Sequence, residues 1–218
     1  MPWLYLVTDR ELIGNRPLEE VVLEAVRGGV KMVQLREKRA STRQYVELAE
    51  RLHALLRPLG VPLIINDRVD VALAVGAEGV HIGQQDMPYE HARRLLGPEA
   101  IIGLSVESME ELAEAEAYEV SYLSISPVFP TPTKTDTKGA WGLEGLAEAR
   151  RRSRHRLVAI GGIGLHNVRS VLEAGANGIA VVSAICAAPD PREAAQALQR
   201  EIERFETERA SWRGEQQR

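Results

Sequence analysis

Eight short apolar runs recur along the chain: Trp3–Val7, Met32–Leu35, Leu63–Ile65, Gly79–Ile82, Ile101–Leu104, Tyr122–Ile125, Leu157–Ile160 and Gly178–Val182. They are continuous rather than alternating, the pattern of strands buried on both faces. Stretches with apolar residues at helical spacing lie between them. Leu18–Val26 follows Pro17, which suits a first helical turn. Tyr45, Leu48, Ala49, Leu52 and Leu55-Leu56 mark a second helix, with Thr42 as its expected cap and Pro58 and Gly60 as its stop. Ser108 with Glu111 has capping-box spacing ahead of a helix over 109–117. Pro191 opens a last helix through Ala194, Leu198 and Ile202 toward Phe205.

Gly28-Gly29, Gly76 and Gly175 each stand between a helical stretch and the next apolar run, where glycine ends a helix by accepting a left-handed conformation. A repeated β–α unit of this kind, eight times over, predicts a (β/α)8 TIM barrel in a single domain. A doubly wound open sheet is the alternative, disfavoured because no Gly-rich dinucleotide fingerprint follows the first run. The barrel is expected over residues 1–205. The polar stretch 206–218 lacks apolar periodicity and reads as a C-terminal tail, either frayed helix or disordered end, and not as a second domain.

The 218 residues, 44% hydrophobic and 27% charged, suit one folded unit of this size. The net charge of −4 offers no footprint for nucleic acid, so anionic ligands need a local basic cluster. No apolar run approaches the roughly 18 residues that a membrane span needs, and the N-terminal stretch lacks the marks of a signal peptide. A cytoplasmic protein is expected, with self-association left open. The single cysteine, Cys186, sits in an apolar setting with no activating partner and reads as structural.

In such a barrel the chemistry belongs at the C-terminal ends of the strands. Asp67 and Asp86 arrive at or just past two successive strand ends, and a pair of hard oxygen ligands suggests Mg²⁺ holding a phosphorylated substrate. Helix capping is the competing role for each acid. Gln34, Arg36 and Lys38 alternate along extended backbone and so share one side, an amide and two cations suited to a polar ring and a phosphate. Asn66, Ser105, and a proline-braced segment with Thr131, Pro132, Thr133 and Lys134 add donors at further strand ends. Gly162 and Ser183 follow runs seven and eight, where barrels bind phosphate through backbone N–H groups. This second anion site implies two phosphorylated substrates or one long one. His81, inside an apolar run, reads as a hydrogen-bonded core residue.

Taken in order, Gln34-Leu35-Arg36-Glu37-Lys38, Ile65-Asn66-Asp67-Arg68, Gly79 through Asp86, Gly103-Leu104-Ser105, Pro127 through Lys134, Gly161-Gly162-Ile163 and Val182-Ser183-Ala184-Ile185 resemble the thiamine phosphate synthase (thiamine-phosphate pyrophosphorylase) family over roughly Leu4 to Ile185. The resemblance implies a transferase of the alkyl/aryl type. It joins 4-amino-2-methyl-5-(diphosphooxymethyl)pyrimidine to 4-methyl-5-(2-phosphooxyethyl)thiazole, or its carboxylated form, and releases diphosphate by Mg²⁺-assisted dissociative substitution. It further implies that Gln34, Leu35, Arg36, Glu37, Lys38, Asn66, Ser105 and Lys134 hold the pyrimidine diphosphate, with Arg36, Lys38, Ser105 and Lys134 acting in catalysis. Asp67 and Asp86 would bind Mg²⁺. Thr131, Pro132, Thr133, Gly162, Val182 and Ser183 would hold the thiazole phosphate. Ser126 departs from the family's usual Gly before Pro-Val-Phe. A thiazole tautomerase on the same barrel, or a non-catalytic regulator binding thiazole phosphate, are the alternatives; the tautomerase would not require the acid pair together with the Thr131–Lys134 segment, and no DNA-reading element or basic helix supports a regulator.

Overall fold

A computed structural model of the chain describes residues 2–131 and 139–216. The apolar runs become eight strands, all parallel: β1 (Trp3–Val7), β2 (Met32–Leu35), β3 (Leu63–Asn66), β4 (Gly79–Ile82), β5 (Ile101–Val106), β6 (Tyr122–Ile125), β7 (Leu157–Ala159) and β8 (Gly178–Val181). They are hydrogen-bonded in chain order, and β1 pairs with β8, Leu4 opposite Ile179, to close the barrel. The helices are α1 (Leu18–Arg27), α2 (Thr42–Leu56), α3 (Val69–Val75), α4 (Tyr89–Leu96), α5 (Met109–Ala115), α6 (Gly142–Arg152), α7 (Val168–Glu173), α8 (Ser183–Cys186) and α9 (Pro191–Gln216).

The runs are continuous because every strand serves two cores. Outward residues such as Leu4, Leu6, Val33, Leu63 and Ile65 pack beneath helix residues such as Val21, Val22, Leu48 and Leu52. Inward residues, among them Tyr5, Val7, Ile64, Tyr122, Val158 and Ala180, fill the barrel itself. Each alternation thus exchanges one apolar surround for another.

Local signals account for the element ends. Ser41, not Thr42, caps α2: its Oγ accepts from Gln44 N–H (3.3 Å), and Gln44 Oε1 accepts from Ser41 N–H (3.0 Å). Thr42 is the first helical residue, and its hydroxyl accepts from Arg68 (3.1 Å). Ser108 caps α5 through Glu111 N–H, but the Glu111 carboxylate accepts from Glu107 N–H, one residue upstream of the box position. Gly76 ends α3 at φ +70°, its N–H donating to Ala72 and Leu73.

The last helix does not stop near Phe205 but runs to Gln216. Ala195, Leu198 and Ile202 are buried. Past them Arg169 of α7 pairs with Glu173, Glu201 and Glu208, and Arg204 with Glu208. Helical backbone therefore crosses the boundary expected at residue 205. No helix among the described residues is long and apolar enough to cross a membrane.

Cys186 is fully buried at the end of α8, its thiol facing Val7 O at 3.8 Å. Burial pushes the thiol up to about 11. The native protein is therefore expected to consume no aromatic disulfide reagent at pH 8 and one equivalent after unfolding. Rapid labelling of the folded protein would show that this end of the barrel opens.

Candidate active site

The strand C-termini surround a cavity of about 650 Å³. From the end of β2 onward, Gln34, Arg36 and Lys38 line it in alternation, while Leu35 and Glu37 do not. Leu35 is fully buried on the helix side, and Glu37 turns toward Arg10 (3.6 Å). Of the expected pyrimidine-diphosphate set, these two could contribute only backbone. Tyr45 of α2 ties the ends of β2 and β3 together, its hydroxyl donating to Leu35 O (2.8 Å) and Asn66 O (3.1 Å). Asn66 is itself buried, and its side-chain Nδ2 has no hydrogen-bond partner among the described residues, a donor left for a ligand.

Asp67 follows with φ +63°, the one positive-φ non-glycine residue described. Its N–H donates to His81 O (2.8 Å), which locks the strained turn onto β4. The Asp67 side chain does not cap α3: the N-cap position belongs to Arg68, which makes no side-chain cap bond, and the Asp67 carboxylate accepts from Lys38 instead. Asp86 does not cap α4 either; its Oδ2 accepts from Gly83 N–H (2.7 Å) and closes its own loop. Both capping roles fall away, and both carboxylates line the cavity. Burial is the main force raising the Asp86 carboxyl above the usual range; the Gly83 N–H opposes it, and the nearby Asp67 charge adds to it. Lys38 Nζ reaches Asp67 Oδ2 at 2.6 Å.

The floor is polar and was not foreseen. Gln34 Nε2 donates to Tyr5 Oη (2.8 Å), which meets Tyr122 Oη (2.9 Å); Tyr122 meets His81 Nδ1 (3.1 Å), and His81 Nε2 meets Ser105 Oγ (2.8 Å). This chain spans β1, β2, β6, β4 and β5. Burial holds both tyrosines well above the ordinary phenol range, so they stay protonated donors. His81 is thus the hydrogen-bonded core residue expected, although it also lines the cavity. Gln84 braces the β5 end through Ser105 O (2.7 Å).

Across the barrel, Thr131, Gly162, Val182 and Ser183 line the other wall. Val128 and Phe129 N–H donate to Ile160 O and Gly161 O, so the segment leading to Thr131 is zipped onto the loop after β7. Gly162 adopts φ +64°, and an added Cβ would stand 2.8 Å from Phe129 Cβ, so this close approach requires glycine. Pro132, Thr133 and Lys134 lie outside the described residues.

Residues 4–185 match the family described as thiamine monophosphate synthase. The chain belongs to that family. A thiamine-phosphate synthase of Albidiferax ferrireducens is 58% identical over 92% of this chain and 91% of its own length, and one of Syntrophomonas wolfei is 54% identical over 92% and 96%. The solved structure of a thiamine phosphate pyrophosphorylase from Pyrococcus furiosus superposes with a TM-score of 0.85 at 43% identity, covering 93% of this chain and 96% of that one. A 3-hexulose-6-phosphate synthase, 18% identical with a TM-score of 0.66, shares the barrel alone. As a thiamine monophosphate synthase family member, the chain is an enzyme of the transferase class.

Proposed function

We propose that the cavity joins the pyrimidine diphosphate and the thiazole phosphate to form thiamine phosphate and diphosphate, with the diphosphate at the β2–β4 wall and the thiazole phosphate at the β7–β8 wall. The observation that carries this reading is the placement of two carboxylates and two cations on one wall and a glycine-lined, hydroxyl-bearing wall opposite. Two anionic groups thereby find separate cradles in one cavity.

Asp67 and Asp86 suit Mg²⁺ by donor chemistry: both are carboxylates, one held above its usual range partly by the other's charge. Among the described residues no cluster of three or more metal-ligating side chains exists. That favours an ion completed by substrate phosphate and water, the habit of Mg²⁺, over an all-protein cage. When bound, the ion would neutralise the departing diphosphate as a Lewis acid.

The chain's residues divide the remaining work. Arg36 and Lys38, with Lys134 from the resemblance, would share the phosphate charge as it develops. Asn66 Nδ2 supplies a buried donor to the same group. Gln34 and Ser105, fixed by the floor chain, would orient the aminopyrimidine ring, whose electrons stabilise the cationic methylene left by the departing group. Gly162, Val182 and Ser183 would hold the thiazole phosphate so that the ring nitrogen faces that carbon. No protein nucleophile is required, and alignment supplies much of the acceleration. The phosphorylated substrates do not cross membranes unaided, which supports a cytoplasmic setting.

Purified protein given both substrates and Mg²⁺ is expected to release diphosphate and form thiamine phosphate. Chelation by EDTA should stop the reaction and added Mg²⁺ restore it. Absence of product from protein verified as folded would overturn the synthase reading, and undiminished turnover in EDTA would remove the metal from it.

A further inference from the structure

We propose that Asp9 is a positioning residue that holds Arg36 at the diphosphate wall. The inference rests on the reading of Arg36 as a diphosphate ligand.

Thr8 and Asp9 directly continue β1, and together they grip Arg36 at two points. Thr8 is fully buried; its N–H donates to Gln34 O (2.9 Å), and its Oγ1 accepts from Arg36 N–H (3.1 Å). That fixes the Arg36 backbone to β1. Asp9 Oδ1 accepts from Glu11 N–H (3.0 Å) and Leu12 N–H (3.3 Å), which immobilises the carboxylate in a tight turn. The other oxygen, Oδ2, is thereby aimed at Arg36 Nη1, 3.8 Å away. This distance is beyond hydrogen-bond length. The guanidinium is attracted and oriented while its N–H donors stay available for phosphate. Among the described residues no other carboxylate lies within ion-pair distance of Arg36.

The need for such a hold follows from where Arg36 stands. Arg36 lines both the site cavity and a second cavity of about 850 Å³ along the loop between β1 and α1, and Asp9 lines only the second. Glu37, in the wall of that second cavity, has a buried Oε1 with no partner among the described residues and is a competing acceptor for a wandering guanidinium. The pair is mostly shielded, with side-chain exposures of 23% and 18%, so solvent screening does not erase it. A charge on Asp9 thus fixes the guanidinium at the boundary of the two cavities, where it also lines the site, instead of leaving it to Glu37.

Asp9→Asn keeps the turn acceptor and the volume and removes only the charge. Its kcat/KM for the pyrimidine diphosphate is expected to fall about 10- to 100-fold, the scale of losses from small misplacements of a reacting group. KM for the thiazole phosphate should stay within about twofold of wild type, and the melting temperature should be unchanged. Asp9→Glu should recover part of the loss. The deciding measurement is a double-mutant cycle with Arg36→Gln, since residues acting through one another are non-additive. If Asp9 works through Arg36, the double variant is no slower than Arg36→Gln alone. Additive losses, equal rises in both KM values, or an Asp9→Asn enzyme as fast as wild type would overturn the proposal. Wild-type protein run alongside separates this failure from that of the functional reading: no diphosphate release by the parent enzyme would indict the reaction, not Asp9.

Discussion

Asp67→Asn is expected to lower diphosphate release about a thousandfold, the upper range for loss of one preorganised electrostatic group, while leaving the barrel and thiazole-phosphate binding intact. The substitution removes a charge and almost nothing else. Asparagine tolerates the left-handed backbone found at φ +63°, so the turn survives. The N–H donated to His81 O is a backbone bond and persists. No helix cap is lost, because α3 receives none from this side chain. What disappears is the partner of Lys38 and half of the acid pair with Asp86. The Lys38 pair is half-exposed and contributes little to folding, and relief of repulsion on Asp86 offsets its loss. Steady-state diphosphate release, titration with the thiazole phosphate and a melting curve check the three parts separately. Parallel losses of stability and thiazole-phosphate affinity would mean that Asp67 is structural.

The second large effect falls on the fold. Gly103→Ala should destabilise the protein by about 3 kcal/mol, as expected for overpacking a tight core. At roughly 2–4 °C per kcal/mol for a chain of this size, the melting temperature should fall by about 10 °C. The Cβ would stand 2.1 Å from Tyr122 Cζ and 2.3 Å from its hydroxyl. That ring is fully buried, packed edge-on against Tyr5 and stacked on His81. It has nowhere to go without breaking the floor chain, so activity should drop even well below the melting transition. A melting temperature within about 2 °C of wild type would show that β5 can slide and that Tyr122 is not confined as described.

The barrel was legible because its strands are apolar on both faces and its helix-to-strand joints carry glycine. The cavity wall bearing Gln34, Arg36 and Lys38 was legible because alternation put the three on one side of an extended segment. Tyr5 and Tyr122 escaped notice because each sits inside an apolar run and reads as filling; their hydroxyls meet only when residues 117 apart are brought across the barrel. Asp9 escaped for a related reason, since its target lies on the next strand. Helix α9 beyond Phe205 shows no apolar stripe, and what accompanies it there is charge: Arg204 with Glu208, Arg209 with Glu206, and Arg169 reaching over from α7. The choice of Ser41 over Thr42 as cap turned on one residue of register, which adjacent hydroxyls do not distinguish.

The seam between β1 and β8 has a consequence for how the chain is made. Trp3–Leu6 leave the ribosome well before their partners on one side, Gly178–Val181. Until then β1 presents an open edge, and the cavity lacks the wall carrying Val182 and Ser183. The nascent chain can build strands two by two as it emerges, but the circle closes only once Gly178–Val181 have been made. A ribosome stalled before residue 178 would therefore hold a sheet with two exposed borders, the state most open to edge-to-edge association.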